Sequence, residues 1–296
     1  MEEKIMKKIL FFAVACLTAC HQENNLTTEH LDITLENEKA ETQITVDYPQ
    51  SINNGNLDAL RQQVVTFVLP NYSESLENGA DIFKQFAEEK NKMLSADNDF
   101  GTAMKFAYNG NILLVAQNEK FATFTLDAYI YTGGAHGMPI WSSKTLRKTD
   151  GMILNDKLLN EKVNSEAFKK LLEQGVKTYF TVQKGAFYQC DFQSDKLQSE
   201  IFENYKIDDL PLPQEKPFLT KNGVGFVYMP YEISWYANGR IAFVLPYSQM
   251  TDYMSEDALN LVKNVNKNGK IEAYVDEQTR QKYQDYLAQP EHKICQ

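Results

Sequence analysis

Phe121-Ala-Thr-Phe-Thr-Leu-Asp-Ala-Tyr-Ile-Tyr131 runs into Thr132-Gly-Gly-Ala-His-Gly-Met-Pro139. In the first segment Ala122, Phe124, Leu126, Ala128 and Ile130 take every second position, with Thr123, Thr125, Asp127, Tyr129 and Tyr131 between them. Strand side chains point alternately to two faces, so this period predicts a long strand with one buried face and one mixed face, as an antiparallel sheet allows. In the second segment Gly133 and Gly134 permit positive φ or a close backbone approach, and His136 projects from the turn they make.

Upstream, Met104, Phe106 and Tyr108 precede Asn109-Gly110, and Ile112, Leu114 and Ala116 follow it, which predicts a tight hairpin. Alternation within Leu31–Val46 predicts an opening pair of strands. Between these, Asn56 caps a predicted helix carrying Leu57, Leu60, Val64 and Phe67, ended by Pro70; a second helix carries Ile82, Phe83, Phe86, Lys90 and Met93. Downstream come a strand around Ile140–Leu146, a helix from Ser165 with Phe168, Leu171, Leu172, Val176 and Tyr179 on one side, and strands at Val224–Met229, Tyr231–Tyr236 and Arg240–Leu245, the last two joined across Asn238-Gly239. Final helices are expected near Ser255–Asn266 and Glu277–Leu287. Strands and helices come in runs rather than in βαβ alternation, so the expected class is α+β, with antiparallel sheets packed against helices. The expected division is a strand-helix part over 31–119 and an α+β part over 120–296, with 96–100 or the sheet before the double glycine as other places for the boundary.

The chain begins with Lys4, Lys7 and Lys8, an apolar run from Ile9 to Leu17, and Leu17-Thr18-Ala19-Cys20. A basic start, a short apolar middle and a small-residue cleavage site make residues 1–19 a secretory signal, and the run is too short for a bilayer span of about 20 residues. Leu-Thr-Ala-Cys resembles the lipobox of bacterial lipoproteins, which implies an acylated Cys20 and attachment to an envelope membrane through lipid, facing the periplasm or the cell surface. Polar residues 21–30 then read as a tether.

Loss of the leader removes three lysines and two glutamates and takes the formal charge from −10 to −11. An acidic chain lacks the basic face that phosphate binding needs, so nucleic acid is excluded as a partner. Such a charge steers a cationic partner, or simply maintains solubility. Cys190 and Cys295 are the cysteines that remain once Cys16 is cleaved and Cys20 acylated, and are either a disulfide or two free thiols.

Chemistry is sparsely marked. Of four histidines, His21 and His30 lie in the tether and His292 near the C-terminus, leaving His136. There is no His-x-x-x-His or Cys-x-x-Cys spacing for zinc, no nucleophile elbow and no phosphate loop, so no catalytic residue, metal or cofactor is expected. Candidate ligand contacts are Tyr131, Gly133, Gly134 and His136; the other reading of His136 is a hairpin histidine bonded to nearby backbone. Among the aromatics from Phe226 to Tyr247, the candidates for an exposed binding patch are Tyr231, Trp235 and Tyr236, while strand alternation places the others in a core.

Three separated segments, Tyr131–His136, Leu146–Asp156 and Phe218–Gly239 continuing to Phe243–Tyr247, resemble in order the ectodomain of the RsiV anti-sigma factors, a region similar to one in some peptidoglycan deacetylases. The resemblance covers about residues 120–255 and implies a two-part α+β fold; in the anti-sigma factors this ectodomain binds lysozyme. It implies a stand-alone binding lipoprotein here, since neither a sigma-binding segment nor a deacetylase domain with metal-binding histidines is seen. Two other expectations stand beside it: an envelope enzyme acting on peptidoglycan or another glycan through a cleft at His136, and a structural lipoprotein with an apolar patch and no pocket.

Overall fold

The computed structural model describes residues 25–98, 104–183, 202 and 205–262, with the side chains of 181–183 left aside. The leader, Cys20, Cys190, Cys295, His292 and the helix expected at 277–287 lie outside them.

The first sheet has the order β1 (Leu26–Glu36), β2 (Ala40–Ile52), β3 (Phe106–Gln117), β4 (Phe121–Tyr131), β5 (Met138–Arg147). Neighbours are antiparallel except β2 and β3, which pair parallel from Ala40↔Phe106 to Val46↔Ile112. A parallel pair needs a crossover. It is supplied by α1 (Leu57–Val65) and α2 (Gly79–Asp97), each begun by an asparagine whose side chain accepts a backbone N–H, Asn56 from Ala59 and Asn78 from Asp81. Leu60, Val64, Ile82, Phe83, Phe86 and Leu94 from the two helices share one buried core with Ile44, Val46, Ile112, Leu114, Phe124 and Leu126 from the sheet.

Four expectations for the first sheet and its helices need correction. Asn109-Gly110 makes no turn; it lies inside β3, and a Cβ at Gly110 would come within 2.8 Å of the Tyr108 hydroxyl oxygen, so the glycine makes room for a ring on its own strand. The stretch read as tether is already strand from Leu26, which is buried and whose backbone N–H and C=O both bond the Gln117 amide. β4 and β5, assigned to the second part from the pattern, complete the first sheet. On α2, Met93 faces solvent and Ala87 and Asn91 face inward.

The second unit packs α3 (Glu166–Gln183) and α4 (Glu256–Val262) around a small antiparallel sheet of β6 (Phe218–Leu219), β7 (Gly223–Tyr228) and β8 (Ile241–Pro246). Gly175 lets α3 close on β8, since a Cβ there would stand 2.2 Å from the Phe243 ring. Tyr231–Tyr236, expected as a strand, is a turn leading to one turn of 3-10 helix at Tyr236–Asn238, and Gly239 takes φ 73 after it. The class is α+β as expected.

The units share core at the start of β4, where Phe121 is fully buried among second-unit side chains. Nearby, the Thr145 hydroxyl accepts the Leu219 N–H at 3.0 Å, and Asn155 accepts from Thr145 N and donates to the carbonyls of Ser143 and Pro217. No helix among the described residues is long and apolar enough to cross a membrane.

Candidate binding face

The mixed face of β4 changes character along its length. Thr123 and Thr125 are buried near the start, while Tyr129 near the end is 38% exposed. Beyond it, Gly133 (φ 95) and Gly134 (φ 88) carry the chain around to β5 in backbone that side chains rarely adopt. The Tyr131 hydroxyl donates to the Gly134 carbonyl at 3.1 Å and its ring meets Phe106 edge-on, so Tyr131 braces the loop.

His136 lies against a residue a hundred positions away. Its ring stacks on Tyr236 with centroids 3.8 Å apart, its Nδ1 is 3.1 Å from the Gly137 carbonyl, and the Tyr236 hydroxyl donates to that carbonyl at 2.6 Å. The Gly137 N–H in turn donates to the Tyr129 hydroxyl oxygen at 2.6 Å. Burial, then the neighbouring Tyr129, push the Tyr236 hydroxyl above its ordinary pKa. These bonds sew the β4–β5 loop to the segment 229–239. One step along β4, Asp127 is paired with Arg240 (2.6 Å), whose guanidinium lies over Trp141, the cross-strand partner of Asp127.

The product is an exposed aromatic surface on a braced frame, Tyr231 (59% exposed) beside Tyr236 with Tyr129 bonded to the same loop; Trp235 (42%) precedes Tyr236 in the chain. Of the sequence candidates, His136, Tyr231 and Tyr236 converge, Trp235 adjoins them in the chain, and Tyr131, Gly133 and Gly134 shape the loop. Phe226, Tyr228 and Phe243 are core. Tyr129, Asp127, Trp141 and Arg240 were missed; the signal for Tyr129 was its sharing a β4 face with Tyr131.

Among the described residues, four concavities lie elsewhere, one of about 490 Å³ between α3 and β8 at Gly175, Tyr179 and Val244, and His136 lines none of the four. Among the described residues no three His, Cys, Asp or Glu are grouped to hold a metal ion. The shifted carboxyls Glu215 and Glu232, both raised mainly by burial, lie on the 214–232 side, where Glu232 accepts the N–H groups of Gln214 and Met229.

Charge is divided unevenly. Residues 25–98 hold thirteen Asp or Glu against five Lys or Arg, whereas the described residues from 104 onward hold fourteen of each. Among the described residues the excess acidity therefore belongs to the stretch from β1 through α2, and Asp127 beside the aromatic surface is balanced by Arg240.

Residues 35–139 match the family model described as Deacetylase PdaC. The matched segment runs from the end of β1 through the β4–β5 loop, so one strip of the aromatic surface lies inside it and the Tyr231–Arg240 strip beyond it. The fold is that of DUF3298 proteins. A DUF3298-family crystal structure from Bacteroides fragilis aligns with TM-score 0.60 and 16% identity over 83% of this chain and all of that one. Another, from Pseudomonas aeruginosa, aligns with TM-score 0.52 and 17% identity over 79% of this chain and 97% of its own. No curated protein matches the sequence.

Proposed function

We propose that the chain is a lipid-anchored envelope binding protein whose partner is a cationic protein of the lysozyme type, taken on the aromatic end of the β4–β5 hairpin. The observation that carries the reading is the His136–Tyr236 stack, which with the bonds to Gly137 brings Tyr231 and Tyr129 together on one exposed, braced surface, Trp235 adjoining it in the chain. Exposed Tyr and Trp on a rigid frame is the make-up of interface hot spots, where large rings are placed at little entropic cost. The acidic half contributes at longer range. Its excess charge attracts a cationic partner over about 8–10 Å at ordinary ionic strength and raises the association rate. Acylation of Cys20 supplies the membrane attachment in this reading, and the resemblance to RsiV ectodomains agrees with an extracytoplasmic setting.

The test is calorimetric titration of the mature chain carrying Cys20→Ser against lysozyme at low and high salt. Saturable binding at micromolar Kd or tighter, weakening with salt, is expected. Absence of heat at both salts removes lysozyme as the partner. The glycan-enzyme reading gains if the same preparation instead releases acetate or cleaves isolated peptidoglycan, and loses that activity with His136→Ala.

A further inference from the structure

Five described residues have positive φ: Gly133, Gly134, Gly151, Gly239 and Tyr231. Four are glycine, the residue for which this conformation carries no steric penalty. Tyr231, at φ 70, is the exception. A bulky side chain there crowds its own backbone, and a chain that needed only to turn would use glycine or asparagine. Burial does not account for the tyrosine, because it is 59% exposed.

The strained turn is over-determined by its surroundings. Tyr228 before it and Ile233 and Ser234 after it are buried. The Tyr231 N–H donates to the Ser234 carbonyl at 3.0 Å and the Glu232 N–H to the Met229 carbonyl at 3.0 Å. The Glu232 carboxylate accepts Met229 N–H at 2.8 Å and Gln214 N–H at 2.6 Å, tying the turn to the 211–217 segment. The ring is left leaning toward Tyr236, 5.6 Å between centroids, with most of its surface in solvent. Strain of this kind persists only where the surrounding structure over-determines it, and it clusters at binding and catalytic sites.

We infer that Tyr231 is the anchor residue of the binding face, a ring held out from the protein by the Glu232 clamp so that it enters a recess on the cationic partner. This rests on the reading above. Thermal melts and lysozyme titrations are run side by side on the mature chain, on Tyr231→Gly and on Tyr231→Phe. Tyr231→Gly is expected to relieve the strain, with part of the gain cancelled by glycine's freer unfolded chain, and to raise Tm by about 2 °C. It is also expected to weaken binding by about thirtyfold, the loss typical of a hot spot. Tyr231→Phe keeps the ring and is expected to hold both Tm and affinity near those of the parent.

A Tyr231→Gly chain that melts lower than the parent means that the ring is structural, and overturns the assignment. Undiminished binding by that variant, where the parent binds, removes the anchor alone. A parent that does not bind takes away the cationic-partner reading and the anchor with it.

Discussion

β4 has two ends that differ in what covers them. Phe121 at its start is buried in the core of the second unit, and Thr123 and Thr125 on the mixed face are shut off from solvent next to the Thr145–Leu219 contact. At the far end Tyr129 stands 38% exposed, and the two units meet through ring stacking, hydroxyl-to-backbone bonds and one ion pair. The same alternation runs through both ends, so the difference arises from the partner and not from the strand. A closed end fixes the units together; an end closed only at its edges leaves aromatic area exposed to another molecule.

The sharpest way to break this contrast is to truncate a ring at each end. Phe121→Ala leaves a cavity in a core with no exposed surface and is expected to cost about 3–5 kcal/mol. Tyr129→Ala removes a half-covered ring and one hydroxyl acceptor, and should cost about 1 kcal/mol in the same denaturant titration. Equal losses at both positions would show that the aromatic end is as closed as the other.

A smaller effect is expected at the seam. His136→Ala removes the stack on Tyr236, which is about 1 kcal/mol in aromatic pairs, while the Tyr236 and Tyr129 bonds to Gly137 remain. Folding should persist, with raised proteolysis within 132–138. Complete unfolding would mean that the histidine carries far more of the loop than its single stack and one backbone contact imply.

The smallest effect belongs to the acidic half. His30 donates or accepts at 2.9 Å with the buried carboxylate of Asp47, which also accepts the Leu114 N–H, and that bond, opposed by partial desolvation, raises the His30 pKa above 6.5. A raised folded pKa means that the stabilisation is fully present below 6.5 and is lost as pH rises through the folded value. A slight fall in Tm from pH 6.5 to about 8 is therefore expected, flattened in His30→Gln. A rise over that interval in the parent would refute the pairing.

Much of the fold could be read from period and caps: Asn56 begins α1, Ser165 precedes α3, and the alternation of β4 marks its two faces. Where the reading failed, one local signal had two physical causes. Glycine after asparagine serves a tight turn or a close approach, and at Gly110 the approaching group is Tyr108. Aromatics in Tyr231–Tyr236 suit a strand, yet Tyr231 takes φ 70, a backbone that no strand residue adopts. The His136–Tyr236 stack joins residues far apart in the chain and has no local trace. The charge division was countable along the chain, but its meaning depended on knowing that β1, β2 and the helices between β2 and β3 form one side.

The central claim is that an envelope partner docks on the aromatic end and not on the acidic half that attracts it. Hydrogen exchange of backbone amides, measured with and without lysozyme, tests this directly. Added protection confined to 129–138 and 229–240 is the predicted result; protection confined to 26–52 and 79–97, with the aromatic end unchanged, would contradict it.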